Sequence, residues 1–166
     1  MDKIKKIAPN YVNISKLNLT DFRNHSFTSI ITDKKFIALV GKNGSGKTNI
    51  IEAISMFASG KGLRSAQLLE QSNVNGNGGW SVFMEVKSSK GITKLGTGIG
   101  SSQIFDGKAR QCRIDGKFLK SPRQFTECIG IIWLTPQMDG LFIGQRTERR
   151  KFFDKLVHLI EPGHEE

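Results

Sequence analysis

The apolar residues of this chain fall into short blocks, and each change in their spacing marks a new element. Val12, Ile14, Leu17 and Leu19 alternate with polar neighbours except for a slip at Ser15 and Lys16, which predicts a strand carrying an irregularity there. Residues 20–25 read as a turn, and Phe27, Ile30 and Ile31 predict a strand returning beside the first. Asp33 and Lys34 then turn the chain into residues 36–40, an unbroken apolar block of strand length. Beyond it, Ile50, Ile51, Ile54, Phe57 and Ala58 recur at helical spacing.

From Trp80 the period becomes two. Trp80, Val82, Met84 and Val86 face one way, and Ser81, Phe83, Glu85 and Lys87 the other. A turn at 88–91, a returning segment at 92–99, and hairpin signals at Asp106-Gly107 and Asp115-Gly116 predict an antiparallel sheet. Ser121, Pro122 and Gln124 have the order of a capping box that opens a brief helix. Residues 129–134 read as a fully buried strand parallel to that at 36–40. A last helix opens with Arg146, Arg149 and Arg150 and carries Phe153, Leu156, Val157 and Ile160 on one face. Met138, Phe152 and Phe153 read as packing residues.

Between the apolar block at 36–40 and the helix lie Gly41, Lys42, Asn43, Gly44, Ser45, Gly46, Lys47 and Thr48, a full match to the P-loop pattern G-x-x-x-x-G-K-[ST]. A triphosphate is held by many donors aimed inward. The glycines let successive N–H groups point into one concavity, and the helix beginning near Gly46 adds its positive end. Lys47 is expected on the β- and γ-phosphates and the Thr48 hydroxyl on magnesium, so ATP and Mg2+ are the expected ligands.

Charge adds a second partner. Lys and Arg total 25 against 15 Asp and Glu, for a net charge of +10, and such a surplus suits nucleic acid. Residues 58–79 form a basic loop with Lys61 and Arg64, read equally as a nucleotide- or DNA-facing loop and as a solvated connector. Lys108, Arg110, Arg113, Lys117 and Lys120 make the antiparallel region basic without aromatic interleaving. A solvated face is its plainer reading, a phosphate-tracking surface the sharper one. Cys112 and Cys128 form no C-x-x-C pair and the histidines are scattered, which disfavours a zinc site or disulfide framework and suits a reducing compartment. With no apolar run of signal or membrane length, the expectation is a cytoplasmic protein without a membrane partner.

Leu17-Asn18-Leu19-Thr20-Asp21-Phe22-Arg23-Asn24, the P-loop followed by Asn49-Ile50-Ile51-Glu52-Ala53-Ile54, the basic Gly60-Lys61-Gly62-Leu63-Arg64, and Arg149-Arg150-Lys151-Phe152-Phe153-Asp154 together resemble the bacterial RecF family. These are ATP-binding-cassette ATPases related to the heads of SMC-type proteins. The resemblance runs from about Ile14 to Val157 and implies an α/β P-loop head, a mixed sheet with an antiparallel β subdomain. It puts Arg23 and Asn24 near the nucleotide and makes Gln137 the candidate sensor of magnesium and attacking water. By residue type alone, Arg23 and Asn24 are an ordinary polar turn and Gln137 a polar loop residue.

The expected organisation is an ATPase-head part at 1–144, with P-loop core 12–58, antiparallel subdomain 80–119 and core strand 129–134, then the start of a helical lobe at 145–166. A Walker-B acid is missing, since residues 129–134 end in Thr135 and Pro136, and no Leu-Ser-Gly-Gly-Gln signature occurs. The expectation is therefore an N-terminal half that binds nucleotide without turning it over. The resemblance implies action on single-stranded or gapped DNA, recombination-mediator partners, an ATP-dependent homodimer, recombinase loading and support of the SOS response. Alternatives are a P-loop kinase or other phosphotransferase, and a non-catalytic basic DNA-binding fragment.

Overall fold

The structure, a computed structural model, describes residues 12–101 and 109–160. The expected hairpin at Asp106-Gly107, Lys108 and both chain ends lie outside them. Six strands, β1 (Asn13–Phe22), β2 (His25–Ile31), β3 (Trp80–Ser88), β4 (Gly91–Ile99), β5 (Gln111–Ile114) and β6 (Lys117–Phe118), form one sheet in the order β2-β1-β3-β4-β5-β6. Every pairing in it is antiparallel. Helix α1 (Lys47–Ser55) packs on this sheet against β1 and β3, and α2 (Arg146–Ile160) follows a 3-10 segment at Pro136–Phe142.

Alternation decides which face of the sheet is buried. Leu17 and Leu19 of β1, Trp80, Val82, Met84 and Val86 of β3, and Leu95 of β4 meet Ala53, Met56 and Phe57 from α1 and the turn after it. Full burial of each large apolar side chain contributes about 2 kcal/mol. Edge-to-face rings fix the two ends of the layer, Phe22 on Trp80 at 5.2 Å and Phe57 on Phe125 at 5.1 Å between centroids. The slip expected at Ser15 and Lys16 is present: the β1–β3 register shifts between Ile14 and Lys16. The capping box at Ser121 and Gln124 is present too, opening a 3-10 turn at Pro122–Glu127.

Two expectations need correction. Residues 36–40 form no strand; Phe36 is 93% and Val40 92% exposed. Residues 129–134 form none either, with Leu134 70% exposed. A central strand exists only where neighbours take its N–H and C=O groups on both edges, and no described segment pairs with either block. One sheet joins the strands before the P-loop to those after Trp80, because β1 pairs with β3 over seven partner positions. Helix α1 is also shorter than its apolar spacing suggests, ending at Ser55, and its buried face is Glu52, Ala53 and Ser55 while Ile51 is 44% exposed.

Candidate nucleotide-binding site

The P-loop leaves exposed coil at Gly41 and enters α1 at Lys47. Gly44 and Gly46 take φ of +80° and +91°, which residues with a Cβ avoid. Gly46 is also pressed against the β1–β2 turn: a Cβ there would collide with His25 Nε2 and lie 2.6 Å from Asn24 Oδ1. Lys47 Nζ donates to the carbonyls of Gly41 and Lys42, each at 2.7 Å, so the ammonium lies across the loop it belongs to. Gly41 to Ser45 and Thr48 are exposed, and Gly46 is the loop's buried residue.

The β1–β2 turn grips this loop. Asn24 Nδ2 donates to Gly44 O at 3.4 Å, Asn24 Oδ1 accepts from Asn49 Nδ2 at 2.8 Å, and His25 Nε2 stands 3.2 Å from Gly46 O. His25 Nδ1, 2.8 Å from Thr28 Oγ1, orients the ring. The turn can do this because Asp21 and Arg23 adopt φ of +49° and +56°, held by Asn73 N to Asp21 O and Arg23 N to Gln71 O, both 2.7 Å.

Arg23 ties the same turn to α1 and to the loop after it. Its Nε and Nη2 hold the Glu52 carboxylate at 3.0 and 2.6 Å, and its Nη1 donates to Glu70 O at 2.7 Å. Arg64 Nη1 donates to Glu52 Oε2, the oxygen that Arg23 Nε also holds, at 3.0 Å and reaches Asn49 Oδ1 at 2.9 Å. Glu52 is 1% exposed, so two arginines share one buried carboxylate directly behind the P-loop. A polar chain thus runs from Gly44 through Asn24, Asn49 and Arg64 to Glu52 and Arg23.

Residues 58–79 join that network through Arg64. Leu63 N donates to Ser55 Oγ at 2.7 Å and Trp80 Nε1 to Leu68 O at 2.7 Å, so the loop is tied down to the helix and the sheet. Sequence inspection did not single out Glu52, Asn49 or His25. The signal for Glu52 was a carboxylate on the buried face of an apolar helix, which requires a cationic partner.

The donor chemistry fits the expected ligands. Thr48 and Gln137 offer the hard oxygen donors that magnesium takes, Thr48 in the first turn of α1 and Gln137, exposed, in the Pro136–Phe142 segment. The loop of glycines at a helix start, with a lysine beside it, suits a polyphosphate.

The described residues hold no cluster of three or more His, Cys, Asp or Glu able to bind a metal, and no helix long and apolar enough to cross a membrane.

Comparison with known proteins agrees with this geometry. A family model described as AAA ATPase domain matches residues 13–124. The "DNA replication and repair protein RecF" of Agrobacterium fabrum is 41% identical over 93% of this chain and 41% of its own length, and that of Allorhizobium ampelinum is 43% identical over 91% and 40%. This chain thus spans about two-fifths of the curated relatives it matches. Two solved structures, of the recombination mediator protein RecF with ATP and with an ATP analogue, superpose with TM-scores of 0.72 and 0.76 at 19% identity, covering 93% and 92% of this chain and 41% and 40% of theirs. They share its fold. With the matching residues running from β1 through the P-loop and the whole sheet to the Pro122–Glu127 turn, the chain belongs to the AAA ATPase domain family and corresponds to the N-terminal part of RecF proteins.

Proposed function

We propose that this chain is the nucleotide-holding part of a DNA-repair ATPase head, binding ATP with magnesium at residues 41–48. The loop geometry carries the reading: Gly44 and Gly46 in left-handed conformations, at a helix start, with Lys47 Nζ already bound to two oxygens of the loop. Phosphate oxygens are stronger acceptors for an ammonium than neutral carbonyls, so ATP exchanges one oxygen cage for another. Thr48, with Gln137, supplies magnesium ligands. Asn24 shapes the loop through Gly44, and Arg23 stands beside the nucleotide as the partner of Glu52. Residues 1–144 are the head's portion and 145–166 begin a helical lobe.

This chain binds nucleotide without turning it over, because residues 129–134 are followed by Thr135 and Pro136 in place of a Walker-B acid and the sequence carries no Leu-Ser-Gly-Gly-Gln signature. The RecF relatives and the net charge of +10 favour DNA as the second ligand, single-stranded or gapped. In the protein of which this is a part, ATP closes a homodimer on DNA, recombination mediators are the protein partners, and the setting is recombinase loading and the SOS response in the cytoplasm.

The test is binding of a fluorescent ATP analogue with and without magnesium, by wild type and Lys47→Ala. Tight magnesium-dependent binding, weakened at least tenfold by the substitution at unchanged circular dichroism, is expected. Equal binding by both proteins overturns the assignment. Retardation of a gapped duplex that fades with salt tests the DNA half of the reading.

A further inference from the structure

At the far end of α1 from the P-loop, about 14 Å along a nine-residue helix, two clefts meet at Gly60. One, of about 280 Å3, is lined by Met56, Lys61, Ser65, Gln67 and Arg110 among others. Its neighbour, of about 410 Å3, is lined by Ser59, Gly60, Arg123 and Thr126. Three cations therefore converge on Gly60 from three separate stretches of chain, the loop after α1, the start of β5 and the Pro122–Glu127 turn. Among the described residues, no aspartate or glutamate lines either cleft.

Arg110 is the unusual member. Its Nε donates to Thr97 Oγ1 at 2.8 Å and its Nη2 to the carbonyl of Met56, the residue that closes α1. Both partners are neutral, and among the described residues none of Lys61, Arg110 and Arg123 is in an ion pair. Burial pulls the Arg110 pKa down, only partly offset by Cys112 beside it. A guanidinium taken out of water without a counter-charge is stabilised by any anion that enters the cleft. The carbonyl end of α1 would repel an anion, but Arg110 covers it at Met56.

The chemistry of the lining selects the anion. Cations and the small polar groups of Ser65, Gln67 and Thr126 suit phosphate oxygens, and among the described residues no aromatic ring lines the clefts to stack a base. Two joined clefts with separate cations suit successive phosphates better than a single free ion. We infer that the paired clefts at Gly60 hold consecutive backbone phosphates of a nucleic acid strand, Lys61 and Arg110 on one and Arg123 on the next, apart from the P-loop. The inference rests on the DNA-binding reading above and gives it a place on the molecule.

Lys61 and Arg123 are exposed, so both can be changed without unfolding the chain. The probe is a fluorescent gapped duplex titrated without nucleotide between 50 and 200 mM salt, conditions of the order used to count phosphate contacts. For Lys61→Gln with Arg123→Gln, the slope of log K against log salt falls by about 2, and affinity near 0.1 M salt falls about tenfold per lost contact. The matched control is Lys16→Gln with Lys87→Gln, which removes equal charge at the other end of β1 and β3, roughly 20 Å from the Trp80 end that abuts Leu68.

Equal effects of the two pairs overturn the inference while leaving DNA binding intact. Failure of the wild type to bind the duplex at all overturns both readings. In a parallel arm with pyrophosphate, binding that depends on Lys61 and Arg123 while duplex affinity does not would assign the clefts to a small phosphate ligand and overturn the nucleic acid assignment.

Discussion

Arg23 Nη2 lies 2.6 Å from Glu52 Oε1 and Arg23 Nε 3.0 Å from Glu52 Oε2, a fork-to-fork pair that joins the β1–β2 turn to the buried face of α1. Arg64 adds a second guanidinium to the same carboxylate. Because Glu52 is 1% exposed while Arg64 is 43% exposed, the three members are far from equivalent. Glu52→Ala leaves a partly buried guanidinium unpaired and is expected to cost about 3 kcal/mol, whereas Arg64→Ala costs about 1 kcal/mol or less. Urea denaturation of the two variants tests the order; equal losses would mean that Glu52 is not the centre of the network.

Gly46→Ala makes a different demand. At φ of +91°, with Asn24 Oδ1 and His25 Nε2 against the missing Cβ, alanine must both strain the backbone and push the β1–β2 turn away. A stability loss of about 1–3 kcal/mol is expected from the backbone conformation. Nucleotide affinity should fall by more than tenfold, because the same shift opens the loop. Gly44→Ala has left-handed strain, φ +80°, but open space around its Cβ, so it should be the milder of the two in a thermal melt.

Gly98 of β4 has ordinary backbone angles, yet a Cβ would run into the carbonyl of Trp80 and lie 3.1 Å from Ser81 Cα. Gly98→Ala must therefore separate β4 from β3 at the end that holds Trp80. The expected loss is about 1–3 kcal/mol, the range for overpacked sites. Near-ultraviolet circular dichroism should show the Trp80 signal change along with the lowered melting temperature.

Cys128 links pH to reactivity and to stability. Burial raises its thiol pKa above the ordinary 9.0, with Glu127 and Asp115 adding to the shift and Lys90 opposing it. Iodoacetamide should therefore modify it more slowly at pH 8 than a free thiol, with the rate still climbing above pH 9.0. The unfolded chain loses this proton first, so the thiol's stabilising contribution is whole below pH 9.0 and is lost as pH rises through the raised value in the folded chain. Cys128→Ser should remove the alkylation.

Local patterns carried a large part of this molecule. Alternation at Trp80, Val82, Met84 and Val86 named the buried face of β3, the slip at Ser15 and Lys16 named a register shift, and Ser121 with Gln124 named a cap. Each depends on neighbours a few residues away. Residues 36–40 and 129–134 failed for the opposite reason: an apolar run states that a segment can be buried between strands, and says nothing about whether those strands are there to pair with it.

The P-loop followed the same division. Its residues, its place before a helix and its phosphate chemistry were all written in eight consecutive positions, because backbone freedom at glycine and a cation one helical step later are local properties. Tertiary structure alone decided that Asn24 and His25 would brace that loop and that Arg23 and Arg64 would close on Glu52. It also brought Lys61, Arg110 and Arg123 around Gly60. Those groups are distant in sequence, and their meeting depends on β1 pairing with both β2 and β3 while α1 lies across the sheet, a matter of long-range packing that no stretch of chain encodes by itself.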